Sequence, residues 1–148
     1  MQVKPLGNNY LVRLDPGEEA IEHVTRVADQ YRIGFATFHG IGTFERVTLG
    51  YYDLDARAYQ DEVFEEPVEV LAVTGNIATD AAGQRIVHAH VTVGLSDFTT
   101  RGGHLVEGIV GPTLEVIIDT GPATIRRRHD EDTGLQLWDL EAIETLSV

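Results

Sequence analysis

The chain has 148 residues, of which 24 are Asp or Glu and 11 are Lys or Arg, for a formal net charge of −13, and it contains no cysteine. Its length suits one domain that buries a core unaided. The missing cysteines exclude a disulfide framework, a thiolate nucleophile and any cysteine-built zinc or iron–sulfur centre. The acidic balance is the wrong sign for a phosphate-coating surface, because nucleic-acid affinity rests on Lys and Arg.

No apolar run approaches the ~20 residues that a membrane-spanning helix needs. The first residues, Met1-Gln2-Val3-Lys4-Pro5-Leu6-Gly7, lack the basic and apolar segments of a secretory signal, so a soluble cytoplasmic protein is expected. Tyr10 to Leu14 reads as a short strand. A helix start follows, with Asp15 as cap, Pro16 at the first helical position and Glu18 three residues after the cap. Ile21, Val24, Ala28 and Tyr31 recur at helical spacing, and Gly34 ends the element.

Everything beyond reads as strands. Phe35 to His39 enters a Gly40-Ile41-Gly42 turn; Phe44 to Asp53, Ala58 to Phe64 and Val68 to Ile77 follow. Asp80 to Gln84 forms a turn into Arg85 to Leu95. A glycine-rich loop at Gly102-Gly103 precedes a strand from Thr113 to Asp119, and Leu135 to Leu140 is the last. One helix and many strands joined by short turns predict an α+β domain, mainly antiparallel sheet, spanning residues 1–148.

The strand Ile86 to Gly94 carries the chemistry. Alternation sends Val87, Ala89, Val91 and Val93 to one face and His88, His90 and Thr92 to the other. Two imidazoles two residues apart share a side, and His104, after paired glycines, offers a third. Three histidines with an open position are the makings of a zinc-type site; a solvated strand face bearing unrelated histidines is the plainer reading. His23 falls on the charged side of the helix and reads as surface. His39 faces either the site or the core, and His129 reads as a solvated loop residue.

Taken in order, Gly40-x-Gly42, Leu49-Gly50-Tyr51-Tyr52-Asp53, Glu69-Val70-Leu71, Thr74-Gly75-Asn76-Ile77, His88-Ala89-His90, Gly102-Gly103-His104-Leu105 and Pro112-Thr113-Leu114-Glu115-Val116 resemble the PPC domain, which plants and prokaryotes share. The resemblance covers the chain from about Tyr10 to the last strand. It implies a homotrimer, and a metal, zinc or another divalent ion, at the histidines matching His88, His90 and His104. In plants the domain follows an AT-hook, an Arg-Gly-Arg-Pro segment absent from these residues, so direct DNA binding is not expected.

Glu69 and Glu115 interrupt apolar strands. They are candidates for a general base beside a metal-bound water, or else for a solvated face or a subunit-interface ion pair. Thr74 and Asn76 stand at a strand end and read either as lining of the same pocket or, for Gly75-Asn76, as turn chemistry alone. Arg126-Arg127-Arg128 reads either as an anion grip or as a surface strand end balanced by Asp130, Glu131 and Asp132. Trp138 reads as a core or interface aromatic. Three functions remain: a metal-binding module that holds a small ligand, a zinc-dependent hydrolase or lyase, and a transcription-associated regulator like the plant relatives.

Overall fold

β-branched and aromatic residues at period two build most of the chain into strands. The computed structural model describes residues 1–145. In chain order its main elements are β1 (Gln2–Leu6), β2 (Asn9–Leu14), α1 (Ala20–Gln30), β3 (Ala36–Asp53), β4 (Ala58–Phe64), β5 (Val68–Thr79), β6 (Arg85–Gly94) and β7 (Thr100–Thr120). Four short strands follow: β8 (Ala123–Thr124), β9 (Arg127–His129), β10 (Gln136–Trp138) and β11 (Glu144–Thr145). The α+β expectation holds, with one helix against a mainly antiparallel sheet.

The main sheet has the order β1-β2-β7-β6-β5-β3-β4, and β3 pairs with β7 as well. That extra pairing closes β7, β6, β5 and β3 into a ring of hydrogen-bonded strands. Phe44, Leu14, Ile77, Leu114, Ile118, Val93 and Val110 are fully enclosed within it. The helix packs against β6 and β7, burying Ala20, Val24, Val27 and Ala28.

Several elements differ from the sequence reading. Gly40-Ile41-Gly42 is not a turn: β3 runs through it, with a register shift between Gly40 and Gly42. A Cβ on Gly42 would stand 2.2 Å from the Thr113 carbonyl oxygen, so glycine here serves close strand approach. Gly102-Gly103 is likewise no loop but part of the 21-residue β7. β1 was not expected, because Pro5 and Lys4 break any alternation; as an edge strand it tolerates a proline.

The helix begins at Ala20, not beside Asp15. Gly17 adopts φ +82°, and its N–H donates to the Val110 carbonyl instead of entering a helical turn. The Glu18 carboxylate does accept the Asp15 N–H at 2.8 Å, the reciprocal half of a capping box, but around a turn. Glu19 is the cap, accepting the N–H groups of Ile21 and Glu22, and its Oε1 also accepts the Gly108 N–H at 3.1 Å. His23 is not on the charged side as expected: at helical spacing from Ala20 and Val27 it shares their stripe and is buried, with Nδ1 2.8 Å from the Glu19 carbonyl oxygen. Trp138 is partly exposed and meets Phe35 edge-on at 5.9 Å.

Because Glu19 joins the helix start to β7, Glu19→Ala is expected to cost about 1–2 kcal/mol. Urea unfolding of both proteins measures it, and an unchanged midpoint would remove Glu19 from this role.

Candidate metal centre

Register brings the three histidines together. His90 pairs directly with His104 across β6 and β7, and His88 lies two residues along β6 on the same face. On the far side of β7, His104 pairs with Gly50 of β3. Gly103 is required by this crowding, since a Cβ there would stand 2.8 Å from the Gly50 carbonyl oxygen. On β5, Thr74 lies opposite His90 and Asn76 opposite His88.

One nitrogen from each imidazole lies within 4.8 Å of the others. Tetrahedral ligands at a Zn–N distance of ~2.1 Å stand about 3.4 Å apart, so modest side-chain movement closes the set on one ion. The ring centroids are 5.2 Å apart for His88–His90 and for His88–His104, and 5.6 Å for His90–His104. The buried Nδ1 of His104 has no hydrogen-bond partner among the described residues, an unmet valence that a cation satisfies. The donor chemistry therefore fits a divalent transition metal.

The histidines open into a cleft of about 660 Å³ whose walls include Tyr52, Tyr59, Val87, Leu135 and Leu137. Tyr59 stacks on His104 at 4.9 Å, and the Tyr52 hydroxyl donates to the Thr133 carbonyl at 2.7 Å. Tyr59 is held above the usual phenol range, chiefly by burial. Burial, reinforced by Arg127 and the neighbouring imidazoles, pushes His88 down to about 4. His104 is lowered as well, first by burial and then by His90, with the Asp61 carboxylate acting in the opposite direction. Both rings are therefore neutral and free to donate lone pairs at neutral pH.

Arg127 stands apart from its neighbours in the arginine triplet, which the sequence left open between an anion grip and a surface strand end. Of the arginine triplet, Arg126 and Arg128 are exposed while Arg127 is buried. Its Nη2 donates to Asn76 Oδ1 at 2.7 Å and stands 3.5 Å from His88 Nδ1. Its Nη1 donates to the Gln136 carbonyl at 2.6 Å. Buried Ile125, two residues before it, was the available signal: the same alternation turns Arg127 inward.

Glu69 and Glu115 are not brought to this cleft. Glu69 is exposed at the other end of β5, opposite Thr43 and Gly94. Glu115 is exposed on the outer face, opposite Arg13 and Ile41. His39 is also on that outer face, and His129 is exposed on β9.

A depressed histidine sets a pH window. The unfolded chain takes up a proton at His88 near its ordinary value of 6.5, whereas the folded chain resists until about 4. Chelator-treated protein is thus expected to lose stability as pH falls from 6.5 towards 4. His88→Gln should flatten that decline; thermal melts across the range showing parallel curves would remove His88 as its source.

No curated protein matches the sequence. Among solved structures, a candidate DNA-binding protein of Bacteroides thetaiotaomicron superposes with a TM-score of 0.91 at 30% identity, covering 95% of this chain and 97% of that one. A metal-containing protein of Archaeoglobus fulgidus gives 0.82 at 30% identity, covering 90% and 94%. A plant- and prokaryote-conserved (PPC) protein of Pyrococcus horikoshii gives 0.83 at 30% identity, covering 93% and 94%. The model of the Plants and Prokaryotes Conserved domain matches residues 1–121, and the chain belongs to that family.

Proposed function

We propose that the chain is a cytoplasmic homotrimer in which each subunit binds one divalent ion, zinc by preference, through His88, His90 and His104, and offers it to a small ligand. The observation that carries this reading is the convergence of three ring nitrogens within 4.8 Å at the mouth of a cleft. The similar Archaeoglobus protein, described as metal-containing, adds support. A divalent ion there would supply Lewis acidity and a coordination position for a ligand. The chain itself holds His88 and His104 neutral, stacks Tyr59 against His104 and walls the cleft with apolar side chains.

Support for self-assembly comes from the outer face, where Leu11 pairs with Ile117 and both are exposed beside exposed Ile41. Apolar side chains clustered on a solvent face mark an interaction surface. A hydrolase or lyase needs a base at the metal, and neither Glu69 nor Glu115 lines the cleft. Direct DNA recognition lacks a basic face. Arg13, Arg26, Arg46, Arg85 and Arg126 reach carboxylates, and Arg127 is buried. No helix among the described residues is long and apolar enough to cross a membrane.

Elemental analysis of untagged protein tests the site. About one ion per chain is expected, with affinity reduced more than about 100-fold in a His88→Ala/His90→Ala double variant. Equal metal in both proteins would move the site elsewhere. Light scattering at micromolar protein is expected to give three times the 16.3 kDa chain mass; a monomer mass would remove the assembly claim.

A further inference from the structure

We propose that the cleft beside the histidines takes a small organic carboxylate with an apolar body, and that Arg127 holds its charge; this rests on the metal reading above. Arg127 is only 8% exposed, yet among the described residues no carboxylate oxygen lies within 4.0 Å of it, whereas Arg126 pairs with Glu144. Its two protein acceptors, Asn76 Oδ1 and the Gln136 carbonyl, are neutral. Its Nε is buried and has no partner among the described residues. A buried cation without a counter-charge is costly, so an anion entering the cleft relieves a penalty already built into the fold.

The rest of the cleft narrows the ligand class. No Asp or Glu lines it, and the one carboxylate felt at its edge is Asp61, opposite Gly50 on β4, which acts on His104; a resident divalent ion together with Arg127 outweighs that single charge. Its apolar walls, Val87, Leu135 and Leu137, suit a hydrocarbon body and not a second charge. A phosphate would bring a further charge and a third oxygen onto those apolar walls, where the Tyr51 and Tyr59 phenols and Gln136 are the donors that supplement Arg127, the Tyr52 hydroxyl being committed to the Thr133 carbonyl. A carboxylate has two oxygens. With Nη2 only 3.5 Å from a His88 nitrogen, one carboxylate can touch both the guanidinium and an ion held by the imidazoles.

The test uses the untagged full chain loaded with Co²⁺, whose visible absorption reports on what reaches the metal. Isovalerate is titrated beside its neutral isostere isovaleramide and beside inorganic phosphate. Isovalerate is expected to shift the cobalt bands and raise the melting temperature, and isovaleramide to do neither. Arg127→Gln should retain cobalt and bind isovalerate about 10- to 100-fold more weakly. Arg127→Lys, which keeps the charge, should recover part of that loss. The contrast between acid and amide on the unaltered protein stands even if the Gln variant does not fold. A chain that takes up no cobalt overturns the metal reading and this inference with it. A cobalt-loaded chain that treats acid and amide alike, prefers phosphate, or binds isovalerate undiminished as Arg127→Gln overturns the inference alone.

Discussion

The hydrogen-bond register between β6 and β7 is the constraint on which the site hangs. His90 faces His104 only because the pairing is fixed at that residue, and side chains on a strand alternate with period two. A slip of one residue would place Gly103 or Leu105 opposite His90 and carry His104 to the other face. The slip is blocked from several sides. Leu105 is buried in the core, Gly103 fits a gap too tight for a Cβ, and β7 is pinned further along by β2 and β3. The core thus acts at a distance: burying Leu114, Val116 and Ile118 towards the far end of β7 holds an imidazole in place near its start.

Burial also sets the electrostatic character of the cleft. The chain is strongly acidic as a whole, but its carboxylates lie outside the cleft, which presents imidazoles, phenols and a guanidinium. Desolvation disfavours positive charge at His88, His104 and Arg127, lowering all three. For the imidazoles that is useful, because a neutral ring is the form that binds metal. For Arg127 it is a standing cost, only partly offset by hydrogen bonds to two neutral oxygens.

Much of this was legible in the sequence, and unevenly so. The alternation from Ile86 to Gly94 placed His88 and His90 on one face correctly, because a strand with one apolar face has a single way to lie on a core. The third histidine was found by its neighbours in sequence, though its setting was misread. Paired glycines ordinarily signal a loop, whereas Gly103 answers to a neighbouring backbone that only tertiary structure reveals. The helix start failed for a related reason: Asp15, Pro16 and Glu18 make a sound local start signal, but a bond from Gly17 to Val110, 93 positions along the chain, outcompetes it. Arg127 was obscured by its company, since a run of three arginines reads as surface unless the alternation from Ile125 is followed through it.

The two sides of the cleft come from different stretches of chain. All three imidazoles lie within residues 1–121, the span of the family model, whereas Arg127, Gln136 and Leu137 lie beyond it. The segment from β8 to β11 therefore forms one wall of the cleft over the imidazole row. Its short strands pair with one another, and it is fastened to β5 by the Arg126–Thr79 bridge, by the Thr79 N–H donating to the Ile125 carbonyl and by Arg127 donating to Asn76. What the cleft admits is thus set in part by residues outside the family span, whereas the imidazole row is set by residues within it.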